Sequence, residues 1–201
     1  MKGMYKIMRT NSATCNTNCE HGLIDLSGIC DPSDVSEIIS VFPYWKQTYI
    51  TENLTIPPFK PEAEQINSLI VSVDIIRAEV IVTPSSEVGT PPVLVPNLEG
   101  RVLTGRKVII EGQLCQKIQY TANLPEQSVH NVEFFVPFSS FIVVPREIIF
   151  TDASGVITVV DSLNVNFEVS ACIEDISACL NTERDILKQV TLLVYAVPTQ
   201  A

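Results

Sequence analysis

Between Lys107 and Thr121 the chain alternates. Val108, Ile110, Leu114, Ile118 and Tyr120 fall on one parity, and Lys107, Glu111, Gln113, Lys117 and Gln119 on the other. A period of two sustained over so long a stretch describes a half-buried β-strand, with one face on a core and one on solvent. It excludes an amphipathic helix, whose apolar residues recur every three to four positions. Cys115 falls on the polar parity.

The same alternation governs Leu163 to Ile173, where Leu163, Val165, Phe167, Val169, Ala171 and Ile173 are predicted inward and Cys172 outward. Further strands are predicted at 46–56, 69–83, 99–104, 129–136, 141–144, 156–160 and 186–197, separated by Pro, Gly and Asn clusters. Within 69–82 the period slips at Ile75-Ile76, which predicts a bulge. Many strands at this spacing predict an all-β fold: an antiparallel β-sandwich, jelly-roll-like, with an extended N-terminal arm and one short helix. No repeat of solenoid length is visible.

Charged residues make up only 18% of the chain, against roughly 25% in an ordinary globular domain, and mean hydropathy is +0.25. Part of the surface is therefore expected to face other protein. No apolar run is long enough for a transmembrane helix, so no membrane span is expected. The first residues lack the apolar stretch of a secretory signal. A net charge of −10 disfavours nucleic acid, which needs clustered cations; the nearest cluster, Arg101, Arg106 and Lys107, reads as a solvated strand start.

Residues 1–30 are polar, Asn/Thr/Ser-rich and hold three of the six cysteines. They are predicted to form an arm, with the sandwich domain over 31–201. Asp31-Pro32 followed by Ser33, Asp34 and Glu37 predicts a capped helix start, and Phe42-Pro43 its end. The arm offers Cys15, Cys19, His21 and Cys30, enough soft ligands for a tetrahedral zinc site. Their spacing matches no common finger, so the leading expectation is no metal and no cofactor, with the cysteines serving as cross-links.

Catalytic residues are not expected. His21 and His130 stand outside any motif that also supplies a nucleophile, and His130 reads as a sheet-face residue. Glu62 and Glu64, after Pro61, are predicted to open a short helix. Asp31, Asp34 and Glu37 lack the rhythm of a calcium loop, and no Gly-rich phosphate loop is present. The protein is expected not to be an enzyme.

Three blocks, IPPFKPEAEQI at 56–66, VIIEGQLCQKIQYTA at 108–122 and PEQSVHNVEFFVPFSSFIVVP at 125–145, taken together resemble the SPOCS domain of endospore-forming Firmicutes, over about residues 50–145. The resemblance implies a structural role in the spore's outer layers, with synthesis in the mother-cell cytoplasm without a signal peptide and final placement at the spore surface. Some proteins of this kind also carry a LysM peptidoglycan-binding module, for which no sequence match is seen here.

A spore surface becomes oxidising once the mother cell lyses, so late disulfides are then expected. The resemblance thus turns Cys15, Cys19, Cys30, Cys115, Cys172 and Cys179 into candidate cross-linking cysteines, some of them between subunits. The expected function is a self-assembling structural protein of coat, exosporium or appendage fibre, a homo-oligomer or polymer joined by β-edge and arm contacts, with other spore coat proteins as further candidate partners. The alternative is a non-polymerising scaffold or binding module that recruits such proteins.

Overall fold

The computed structural model describes residues 25–151 and 155–199. Its elements are β1 (Asp25–Ser27), α1 (Pro32–Val41), β2 (Trp45–Thr55), β3 (Ala63–Ser85), β4 (Glu87–Val88), β5 (Val93–Leu94), β6 (Thr104–Ala122), β7 (Val129–Val143), β8 (Glu147–Thr151), β9 (Ile157–Asp161), a single 3-10 turn (Ser162–Asn164), β10 (Asn166–Leu180) and β11 (Asp185–Thr199). A four-stranded sheet ordered β1-β3-β6-β7 packs on a three-stranded sheet ordered β10-β11-β2. Every pairing within them is antiparallel except the short β1–β3 contact. The fold is all-β, as the alternation predicted.

β6 keeps its period for its full length. Val108, Ile110, Leu114, Ile118 and Tyr120 are buried, and they meet Ile186, Val190, Leu192 and Val194 of β11 in one core. Burying such side chains contributes on the order of 1.5–3 kcal/mol each. The strand motifs acquire physical reasons. Gly112 lies opposite Phe138, and a Cβ there would come within 2.7 Å of both the Phe138 ring and the Asp74 carbonyl. Tyr120 donates its hydroxyl to the Pro61 carbonyl at 3.0 Å, so the block containing Tyr120 is fastened to the block containing Pro61.

Several expected boundaries move. The slip at Ile75-Ile76 is a register shift between Ile75 and Arg77, as predicted. The strands expected at 129–136 and 141–144 are one strand, β7, running through Pro137. The Val144 N–H donates to the Arg106 carbonyl, which sets the phase of the β6–β7 ladder. Pro137, opposite Gln113, then falls at a non-bonded pair, and its nitrogen faces the open side of an edge strand, where a missing N–H breaks nothing. No strand forms over 99–103, because the Asn97 side chain accepts from the backbone N–H groups of Glu99 and Arg101 and curls the segment into a turn.

Nor do Glu62 and Glu64 open a helix. The Ala63 N–H bonds the Glu183 carbonyl, which draws this segment into β3. Glu62 pairs with Arg184 at 3.1 Å, and Glu64 accepts from Gln127 at 2.9 Å. Leu163 lies in the 3-10 turn instead of a strand and is exposed.

α1 is the predicted helix. Asp31 caps it by accepting from the Ser33 N–H, Pro32 occupies its first turn, and it ends at Phe42. Before it, the last residues of the predicted arm are stitched into the sandwich. β1 pairs with Ser68–Ile70 of β3, Gly28 passes over the Val71 carbonyl at a positive φ, and Ile29 bridges to Ile173 of β10. Residues 25–29 thereby connect one edge of each sheet. The remainder of the predicted arm, 1–24, lies outside the described residues.

Candidate functional site

The two sheets turn their outer faces to very different surroundings. On the three-stranded sheet, α1 lies across the outward side chains, so that Val35, Cys172 and Leu193 form a second small core with Ile39 and Tyr195 beside it. Cys30 and Cys172 are joined there in an intrachain disulfide, Cα to Cα 5.7 Å, a span ordinary for such a bond. Cys179, further along β10, is also disulfide-bonded. Cys15, Cys19 and His21 lie outside the described residues, and with them the zinc alternative; among the described residues no group of three metal-ligating side chains is gathered.

The outer face of the four-stranded sheet is open. Cys115 is a free thiol there, donating to the Asp74 carboxylate at 3.1 Å. That hydrogen bond favours the protonated thiol, and burial and the nearby negative charge add to it, so the thiol's pKa is raised. Phe135 stands opposite Cys115 on β7 and is 64% exposed. The three cations read as a solvated strand start are dispersed, and Arg106 is not solvated. Arg101 pairs with Glu99, Arg106 is buried against Asp161, and Lys107 stands over the Phe141 ring with Lys46 on it as well. His130 stacks on Tyr120 and contacts Ser128, a sheet position next to the core.

The β8–β9 hairpin is more apolar still. β8 and β9 form a separate hairpin in which Ile149 pairs with Val159 and Thr151 with Ile157, placing these four on one face. Ile149 is 67% and Ile157 66% exposed, while Ile148 on the opposite face is buried. The segment between β3 and β6 adds Val88, Val93 and Leu98, all exposed. Exposed apolar patches of this kind mark protein or membrane contact sites, ligand grooves or aggregation-prone surface.

The core also holds a polar group that the strand alternation alone did not single out. Lys188 of β11, with no exposed surface, lies 2.8 Å from Oε2 of Glu52, its direct partner on β2. Gln116, from the facing sheet, donates to the same oxygen at 2.8 Å. Burial lowers the Lys188 pKa, with Glu52 acting in the opposite direction. Lys188 Nζ touches Glu52 as an ion pair without making a well-directed hydrogen bond, and Glu52 Oε1 and Gln116 Oε1 also lack a hydrogen-bond partner. The signal was present in the sequence. Each of the three sits on its strand's apolar parity, with Lys188 between Ile186 and Val190 and Glu52 between Ile50 and Leu54.

The family model described as SipL, SPOCS domain matches residues 94–181, the family that the sequence motifs resemble. The match is displaced from the span read off those motifs. It shares 94–145 with that span and extends through β8, β9 and β10, which the motifs left out. No curated protein and no solved structure matches the chain.

Proposed function

We propose, with the SPOCS-domain match over residues 94–181 as premise, that this chain has a sporulation role as a self-assembling structural protein of the endospore surface, in coat, exosporium or appendage fibre. Subunits join through the apolar hairpin end and open strand edges, and cysteines lock the product. The observation that carries the reading is the outward face of β8–β9, where Ile149, Ile157 and Val159 stand exposed within the matched region. An apolar hairpin face left on solvent is a surface that another protein can cover. The charge balance and the dispersed cations support protein partners over nucleic acid. No described residue belongs to a helix long and apolar enough to cross a membrane.

Negative-stain microscopy of purified protein tests this reading. Regular filaments or sheets are expected, and they are lost when Ile149 and Val159 are both replaced by Lys. Dispersed monomers at high concentration would overturn it, and monomers that capture another coat protein would support a recruiting scaffold.

A further inference from the structure

We propose that Lys188 and Gln116 condense into an intramolecular amide that joins the two sheets through the core, with Glu52 as the catalytic carboxyl. Three observations converge on this chemistry. Both side-chain nitrogens, the amine of Lys188 and the carboxamide of Gln116, contact the same oxygen of Glu52 at 2.8 Å. The group is closed to water, since Lys188 has no exposed surface and Glu52 and Gln116 are buried. As separate side chains they leave an oxygen of Glu52, an oxygen of Gln116 and the Lys188 nitrogen without a hydrogen-bond partner, an arrangement buried polar groups ordinarily avoid.

The step balances without a co-reactant. The step opens with transfer of a proton from Lys188 Nζ to the Glu52 oxygen it contacts at 2.8 Å, giving a neutral amine and a carboxylic acid. A desolvated neutral lysine is a nucleophile. Its Nζ forms a bond to Cδ of Gln116 while Glu52 holds Nε2 of the carboxamide, the nitrogen that will depart. The Cδ–Nε2 bond then breaks. A proton from Nζ travels through Glu52 to the departing nitrogen, which leaves as ammonia. The product is a secondary amide, Glu52 is regenerated in its acid form, and two buried charges are gone. No oxidation occurs. The bond would link β11 to β6 within a single chain, independently of any contact between subunits.

The test is the intact mass of the purified chain after reduction and denaturation, so that disulfides do not contribute. The expected value is about 17 Da below the sequence mass, one ammonia per chain, with a fragment map joining the peptide of Gln116 to that of Lys188. Glu52→Gln is expected to restore the full mass while the core residues remain in place. The wild-type mass decides the matter even if that variant does not fold. A mass equal to the sequence mass overturns the proposal. So does a loss of about 18 Da mapped to Lys188 and Glu52, which is condensation with release of water by a different acceptor.

Discussion

Cys115 and Cys172 occupy equivalent places in the strand pattern, each on the outward parity of a long strand, yet their surroundings are opposite. Cys172 lies beneath α1 and is bonded to Cys30, whereas Cys115 stands on an uncovered sheet face with its thiol free. Strand alternation specifies which side chains leave the core. It does not specify what meets them outside. On the three-stranded sheet the chain itself supplies the cover, through an apolar strip of α1 and the bond at Cys30. On the four-stranded sheet and the β8–β9 hairpin no described part of the chain does, and that difference separates a face covered by the chain itself from one left open.

Removing the covalent tie on the covered face should produce the largest effect. Cys172→Ser opens a link across 142 residues of sequence and is expected to cost about 2–5 kcal/mol, read by urea unfolding, while Cys115→Ser changes stability by less than about 0.5 kcal/mol. Equal effects at the two sites would break the comparison. Next comes packing. Leu193→Ala beneath α1 should cost about 2–4 kcal/mol in the same assay, and Phe135→Ala on the open face should leave the midpoint nearly unchanged.

A smaller effect separates the faces by reactivity. Asp74→Asn removes the negative charge and leaves only a weaker neutral acceptor for the thiol, so iodoacetamide should modify Cys115 several-fold faster near pH 8, with no shift in melting temperature. An unchanged rate would mean that Asp74 does not govern this thiol. The smallest concerns the start of α1. Its cap, Asp31, has its pKa lowered chiefly by the Ser33 backbone N–H and then by the Ser33 hydroxyl. Its contribution is therefore complete above the unfolded carboxylate range and fades as pH falls through the lowered value. Asn caps comparably, so Asp31→Asn should leave melting at pH 7 nearly unchanged and flatten the decline below about pH 4.

How much of this was legible follows from what alternation encodes. It placed the core residues of β6, most of the inward residues of β10, the bulge beside Ile75 and the outward direction of Cys115 and Cys172, while Asp31-Pro32 marked the start of α1. These properties are local. The pairing of Cys30 with Cys172 is not local, because it depends on how residues 25–30 cross from one sheet to the other. Glu99 to Thr104 carries strand-forming residues, but a single side-chain carbonyl at Asn97 redirects its backbone. The Lys188 group was visible as polar residues on apolar parities. What the sequence withheld was that strands from two sheets bring them to one oxygen atom. Of the three SPOCS-like blocks, those at 108–122 and 125–145 fall inside the match and that at 56–66 falls outside it, while the match continues into β8–β10, which carry none of the blocks.

Pro137 was read in the sequence as a break between two strands, and β6 shows it to be no break at all. From the opposite side the earlier reading returns. The donors that β7 offers outward come from its odd-numbered residues, and at Pro137 that series has a gap. A strand arriving from another molecule would find hydrogen bonds along 129–135 and again along 139–143, with silence between them. β7 is thus one strand to its own sheet and two short berths to a visitor, which limits the length of any partner that can lie flush along it and guards the edge against unbounded sheet growth.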